Sequence, residues 1–439
     1  MNRLISEQIS ERIIFMKTKN KKAGLISKDG GRWFYLSLLT VAAGKLAAEQ
    51  PVIYSGELTP VTPVAVREQM QQNQGNSANV FTPATEAHRS DLPQIFRNGP
   101  LDFRPHFGYQ FLYGTGIQSS PAISGKTEIH TVSPGFLLEY GTHLALDYTP
   151  SLVFYSNNQF HDTVAHAVTF SAATQYEDWQ FGLEQSYLNS EQVLAETGGQ
   201  TQQESFGTSL NATRTLNDKM SATFGFSQKI QDTDGFQGSS DWSLSSFLNY
   251  QFWERLTVSG GAVLGYVSLD LGDDQTYQDV SARVNWRITD KLGLAANVGG
   301  EAREFGSGGT LLSPVYGATF QYLPRERTQL SIGVSRAVQP SLFQGQVTET
   351  TELRASINQH LFKKFDLSLG VNFSVVDFTG SSGNSNRHDE DNSYNARLSH
   401  PLFKHGTIAA VYQFSDNRSS QRRYSYRSDQ FGGEFNYAF

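Results

Sequence analysis

The residues that come closest to a reactive cluster in this chain are His161, Asp162 and His166. The first two fall at the end of a polar loop and the third on a strand, so we do not expect them to converge on a metal ion. Gly-rich stretches at 198–199 and 306–309 lack the strand-to-helix context of a phosphate loop. Cysteine is absent, and no Gly-x-Ser-x-Gly elbow accompanies a suitable His and acid. We therefore predict no catalytic residue, no cofactor and no metal site.

A second group of chemically active side chains is ionic, and alternation places its members on one face of the predicted strands. These predicted pore-lining charges are Asp147, Glu184, Lys229, Asp279, Arg283, Arg287, Glu301, Arg303, Glu352, Arg354 and Arg397. The acids at 147 and 184 precede most of the arginines, which predicts a transverse field that orients polar solutes in a pore. The alternative is that the charges pair and brace the wall. Residues 386–391 form another charged group, which we interpret as a solvated loop tip.

Strands are needed to position these charges, and alternating segments of about ten residues run from residue 103 onward. In 367–375, for example, apolar residues alternate with Ser, Gly and Asn. One such strand also fits a soluble sandwich. The connections discriminate, because short turns such as 254–255 and 290–291 alternate with long polar stretches such as 190–203 and 379–392. This rhythm is typical of outer-membrane barrels, with periplasmic turns and external loops.

Counting the segments predicts an all-β fold: a transmembrane antiparallel up-and-down β-barrel of about 18 strands over residues 101–439, with 16 strands as the alternative. An even number returns both termini to the periplasm. The first and last strands must pair, because an open sheet edge in lipid leaves backbone polar groups unsatisfied. The formal net charge of -7 provides no basic footprint for nucleic acid.

The last strand alternates aromatic and small residues and ends on Phe435, Tyr437 and Phe439. It resembles the C-terminal signal that the barrel-assembly machinery recognises, so that machinery is an expected partner. Further aromatic residues beside the short turns predict a periplasmic girdle: Tyr140, Tyr176, Trp179, Phe252, Trp253, Tyr322, Phe362, Phe365 and Phe403. The candidates for an outer girdle are Tyr113, Phe154, Tyr187, Tyr266 and Phe378.

The N-terminal 48 residues have the order of a secretory signal peptide. Basic residues from Lys17 to Arg32 precede an apolar stretch at 33–43 and small residues at 46–48. Met16 is an alternative start. Residues 49–100 are rich in Gln, Asn, Pro and Thr, and predict either an irregular periplasmic lead-in or a plug inside the barrel.

The chain also resembles the beta-barrel porin 2 family, whose members combine a Tyr-x-Pro strand with a following Asp/His loop. The residues that carry this resemblance are Leu146–Pro150, Tyr155, Asp162, His166, Trp179 and Tyr187. It implies an outer-membrane barrel, often associated with exopolysaccharide export, and it implies no catalytic residues.

Taken together, the sequence predicts a passive barrel in the outer membrane of a Gram-negative bacterium, surrounded by lipid and lipopolysaccharide. Its predicted cargo is small hydrophilic solutes or an exported polysaccharide. A structural or adhesive barrel with a closed lumen and partner-binding loops is the alternative, and a membrane-embedded hydrolase ranks third. The cargo, the pore radius and the oligomeric state are not set by the sequence.

Overall fold

A computed structural model describes residues 97–115, 125–325, 327–362, 364–380 and 385–438. After a two-residue strand, β1 (Arg97–Asn98), eighteen long strands follow. They are β2 Leu101–Thr115, β3 Lys126–Tyr140, β4 Leu144–Tyr155, β5 Thr163–Tyr176, β6 Trp179–Leu194, β7 Gly199–Asn217, β8 Met220–Thr233, β9 Ser239–Trp253, β10 Leu256–Leu269, β11 Gln275–Thr289, β12 Leu292–Phe305, β13 Thr310–Arg325, β14 Thr328–Pro340, β15 Gln346–Leu361, β16 Phe365–Gly380, β17 Ser385–Phe403, β18 Gly406–Ser419 and β19 Tyr426–Ala438. A 3-10 turn, Arg422–Tyr424, precedes β19. The predicted signal peptide, the segment up to residue 96 and Phe439 lie outside the described residues.

Each long strand pairs antiparallel with its neighbour in the chain, and β19 pairs with β2 from Asp429↔Thr115 to Ala438↔His106. The sheet therefore closes into an up-and-down barrel of eighteen strands, which confirms the predicted fold. The alternative of sixteen strands is wrong. Closure brings two backbones together at glycines, since a β-carbon on Gly432 would overlap the carbonyl oxygen of Phe111. Gly114 is equally confined against the carbonyl of Asp429.

The outer face of the wall is apolar. Leu312, Val280 and Val298 leave about two thirds or more of their surface exposed. The aromatic residues beside the short turns are exposed or half-exposed, among them Tyr176 and Trp253. Within the described residues, no helix is long and apolar enough to cross a bilayer.

The strands are longer than the ten residues expected, and they extend into predicted loops. The stretch 190–203 is mostly the ends of β6 and β7, with a turn only at 195–198. The charged stretch 386–391 belongs to β17, so its interpretation as a solvated loop tip is wrong. Phe378, an outer-girdle candidate, is only 2 % exposed and lies inside the barrel mouth. These errors share one cause, because all three segments are ordered by contacts with distant parts of the chain.

Candidate functional site

The hairpin β14–β15 leaves the barrel wall at its loop end. Pairing between β13 and β14 stops at Tyr316↔Arg336, whereas pairing between β14 and β15 continues to Pro340↔Val347. The tip of this hairpin is therefore released from β13. A hairpin tip released from one neighbour is free to bend away from the cylinder while its own ladder remains intact.

The released tip bends into the lumen. By alternation with exposed neighbours, Val338 and Val347 belong to the outer face of their strands. Both nevertheless pack against Phe305 and Leu311, which belong to the inner face of β12 and β13. Because outer-face residues of the hairpin contact inner-face residues of the wall, the tip lies inside the barrel.

The β14–β15 loop (341–345) then meets the β6–β7 turn (195–198), which comes from a distant part of the wall. Glu196 Oε1 accepts hydrogen bonds from the Ser341 hydroxyl at 2.7 Å and from the Leu342 amide at 2.8 Å. Gln237, from the β8–β9 connection, donates its side-chain amide to the Ser341 carbonyl at 3.1 Å. We call the β6–β7 turn and the β14–β15 loop together the mouth bridge.

Arg387 fastens the mouth bridge to β17. Its guanidinium donates to the Glu196 carbonyl at 2.9 Å and to the Ala195 carbonyl at 3.4 Å, and it also pairs with Asp389. Arg387 is 4 % exposed and Asp389 is 5 % exposed. A buried, paired and hydrogen-bonded guanidinium is stable in this setting, whereas the same group unpaired is costly.

Aromatic rings fill the space around this ion pair. Phe343, at the tip of the hairpin, contacts the rings of Phe236, Phe378 and Tyr424 with centroid separations of 5.8, 6.4 and 6.1 Å. The Arg387 guanidinium lies over the Tyr424 ring at 3.6 Å and over the Phe378 ring at 4.2 Å. Four separate connections of the barrel thus converge on one aromatic and ionic cluster in the mouth.

Burial raises the pKa of the Glu196 carboxyl above its usual value, against the opposing hydrogen bonds from Ser341 and the Leu342 amide. Arg387 also lowers this pKa, and Asp389 raises it. Burial is the largest of these causes, so the net change in the pKa of Glu196 in the bridged state is upward. The bridge thereby acquires a titratable group at its centre.

The predicted pore-lining charges lie where the strand alternation puts inward residues, and several have near partners. Arg303 Nε donates to Glu301 at 2.7 Å, Arg354 pairs with Glu352 at 2.5 Å, and Arg397 pairs with Glu434 at 2.8 Å. Arg303 is 1 % exposed and also donates to Gln275 at 2.9 Å. For these three arginines the bracing interpretation has direct support.

The remaining predicted charges are arranged differently. Lys229 faces Asp241 across β8 and β9, while Asp279 and Glu301, two acids, face each other across β11 and β12. Arg283 lies flat on the Phe247 ring at 3.5 Å. On the earlier strands, Asp147 accepts a hydrogen bond from Thr149 at 2.9 Å, and Glu184 is buried. Arg287 is half-buried on the same face of β11 as Arg283.

The lumen also carries apolar clusters, which the sequence reasoning did not identify. One contains Leu112, Ile129 and Val411 with Val153 and Tyr155 packed against it. A second consists of Phe247, Val263, Val267, Leu269 and Tyr277. All are inward residues by strand alternation. The sequence does contain one sign of these clusters. Val263 and Val267 are apolar residues at inward positions of β10, where polar residues are expected.

The other sequence-derived candidates make separate contacts. Among the described residues, no group of three or more His, Asp and Glu is placed to hold a metal ion. The His166 imidazole contacts the Tyr148 hydroxyl at 3.0 Å, whereas Asp162 accepts the Tyr155 amide at 2.9 Å. In the predicted assembly signal, Phe435 and Tyr437 pack against the Phe403 ring.

No protein-family model matches the chain, and no curated protein matches it significantly. Among solved structures it is similar to Pseudomonas aeruginosa OccK11 (OpdR), with 11% identity, a TM-score of 0.40 and coverage of 77% of this chain and 96% of that one. It is similar to Acinetobacter baumannii OccAB2, with 11% identity, a TM-score of 0.44 and coverage of 77% and 98%. Likenesses this distant carry no argument about cargo.

Proposed function

We propose that the protein is an outer-membrane channel that passes small hydrophilic solutes by passive diffusion, with no catalytic role. The observation that carries this proposal is the mouth bridge above a lumen wall that holds charges of both signs. An inward-folded hairpin narrows an eighteen-stranded barrel to a selective size, and charged side chains below it accommodate polar solutes. The apolar outer face supports a position in lipid.

The same proposal places the start of β2 and the end of β19 on the periplasmic side. The first and last barrel strands begin and end at the edge that carries the short turns, such as 254–255 and 290–291. The proposal has three further parts. Residues 1–48 are removed as a signal peptide, and the assembly machinery recognises Phe435, Tyr437 and Phe439. The chain is also a member of the beta-barrel porin 2 family. Export of a polysaccharide is its finer variant, and it requires the mouth bridge to move aside for a chain.

A barrel with a closed lumen is the second candidate, and the mouth bridge itself favours it. Glu196, Gln237 and Arg387 hold the β14–β15 tip from three directions, which suits a permanent seal as well as a constriction. The two functions differ in whether ions pass while these contacts are intact.

Single-channel recording of the purified protein in planar bilayers, with neutral sugars of graded size, tests the proposal. We expect a steady ionic current that small sugars reduce and larger ones do not, because only sugars smaller than the constriction enter it. A folded protein that inserts into the bilayer and carries no current would favour the closed barrel. A current that is still reduced by large polymers would favour polysaccharide export.

A further inference from the structure

The ladder between β3 and β4 is interrupted near the middle of both strands. Pairs run from Ile129↔Tyr155 to Val132↔Leu152 and resume at Phe136↔Tyr148. The same register places Pro134 opposite Pro150 inside the gap. In the other described strand pairs, irregularities of register lie beside a turn or loop, as at Pro401/Phe403. The β3–β4 seam is therefore exceptional in the described wall.

The proline pair explains the interruption. Proline has no amide hydrogen, so neither Pro134 nor Pro150 can donate to the other strand, and a facing pair removes both donors of one rung. The backbone pairs on either side, Val132↔Leu152 and Phe136↔Tyr148, are four residues apart, about 13 Å along the strand. Backbone hydrogen bonds are what keeps a barrel wall closed in lipid. Among the described strands, the gap is thus the mid-strand stretch of wall that opens with the fewest backbone bonds broken.

Side chains hold the gap shut on both faces. On the lumen side the Ser133 and Ser151 hydroxyls are 2.7 Å apart. On the outer side the Phe136 ring of β3 meets the Tyr148 ring of β4 edge-on, with centroids 5.9 Å apart. Gly135 completes the gap, because a β-carbon there would lie 2.7 Å from the Tyr148 carbonyl oxygen and against the His106 ring. These side-chain contacts can separate without breaking backbone hydrogen bonds between β3 and β4.

An apolar surface leads to the gap from the mouth. The cluster of Leu112, Ile129 and Val411 is itself buried, and the half-buried Val153 and Tyr155 of β4 leave its remaining apolar surface open on the lumen face beside the seam. Val153 is two residues from Ser151, on the same face of β4. An apolar patch in a water-filled lumen is a place where apolar molecules gather, because water is displaced from both surfaces.

From these observations we infer that the β3–β4 seam is a lateral portal, through which small apolar molecules leave the lumen for the membrane interior. The route runs from the mouth over the apolar patch and out between Pro134 and Pro150. It rests on the membrane position of the proposed function and differs from it in cargo, since hydrophilic solutes cross along the barrel axis. The ligand class is uncharged molecules of about one or two aromatic rings.

A reversible cross-link tests the portal. The chain contains no cysteine, so Ser133→Cys with Ser151→Cys introduces a single pair whose facing positions suit a disulfide. The probe is N-phenyl-1-naphthylamine, which fluoresces when it reaches the membrane interior, added to cells that express the full chain. We expect oxidation to slow probe entry several-fold and a reductant to restore it. The matched control, Ser227→Cys with Ser243→Cys, cross-links a facing serine pair of β8 and β9, where the ladder is continuous.

A second variant repairs the ladder instead of locking it. Pro134→Val with Pro150→Val returns two amide donors, and we expect it to slow probe entry tenfold or more, since two further backbone hydrogen bonds must then break before the seam opens. If this variant fails to fold, the disulfide pair still gives the answer. Equal probe entry in the oxidised, reduced and unaltered proteins, with axial current intact, overturns the portal. Loss of axial current with probe entry still dependent on the disulfide overturns the proposed function and leaves the portal supported.

Discussion

The wall and the mouth of this barrel are held together in different ways. In the wall, each strand pairs with its neighbours in the chain, and the one long-range seam joins β19 to β2. In the mouth, Glu196 contacts Ser341 and Arg387 contacts Ala195, with more than a hundred residues between partners. The wall is therefore a closed hydrogen-bonded network, interrupted mid-strand at the β3–β4 gap, in which a local defect affects closure. The mouth is a set of discrete contacts that can be removed while the wall remains folded.

The sharpest test of the wall is Gly432→Ala. A β-carbon at this position overlaps the backbone of Phe111, which cannot move without breaking the closing seam. We expect loss of the folded barrel, by analogy with overpacking penalties of about 1–3 kcal/mol or more. Gly433→Ala is the control, because its β-carbon would lie 3.5 Å from the Ala409 carbonyl oxygen, an ordinary contact. The heat-dependent shift in gel mobility of folded barrels gives the result, and equal folding of both variants contradicts it.

The sharpest test of the mouth is Arg387→Ala. The change removes the donors to Ala195 and Glu196 and leaves Asp389 buried without its partner, which costs about 3–5 kcal/mol in comparable ion pairs. We expect the barrel to remain folded while its single-channel current rises and becomes noisier. Arg418→Ala, which removes an exposed partner of Asp416, serves as the control. An unchanged current in the Arg387 variant would show that the bridge does not limit passage.

The comparison also predicts a pH dependence that is confined to the mouth. Because burial raises the pKa of Glu196 in the bridged state, forming the bridge takes up a proton between the ordinary carboxyl pKa and the raised one. The bridge is therefore most stable at acidic pH and weakens as pH rises through that window. We expect more frequent closures in mildly acidic buffer than in neutral buffer. Glu196→Gln should abolish this trend, and a trend in the opposite direction would contradict the assignment.

The smallest expected effect concerns the lumen wall. Arg283→Ala combined with Arg287→Ala removes two positive charges from one strand, so we expect a modest shift toward cation selectivity in reversal-potential measurements. Arg255→Ala removes a charge at a short turn that pairs with Asp290, and should change selectivity less. Unchanged selectivity in the double variant would exclude the transverse field and leave bracing as the role of these charges.

The sequence predicted the wall well because the wall depends on local rules. Alternation and turn residues, such as those at 254–255 and 290–291, decide which face each side chain takes and where each hairpin turns. The eighteen strands follow from counting such units. The lumen-facing placement of Arg303 and Arg397 follows from the same alternation, although their ion pairs do not.

The mouth could not be predicted in the same way. Nothing near Arg387 in the sequence distinguishes a buried anchor from a solvated charge, because its partners Ala195 and Tyr424 come from other connections. Alternation even misleads at Val338 and Val347. Both are at outward positions of their strands, but the strands bend inward, so these side chains pack inside the barrel. Pro134 and Pro150 can be read from the sequence, but only the strand register shows that they face each other.

The mouth bridge has a mechanical consequence for the molecule as a whole. A closed ring of strands resists stretching but flattens easily into an oval under sideways pressure. Contacts between Glu196 and Ser341, and between Arg387 and Ala195, connect separate points on the rim across the mouth. These contacts oppose flattening of the barrel at the mouth. Deformation is therefore expected mainly at the opposite end, which carries the short turns.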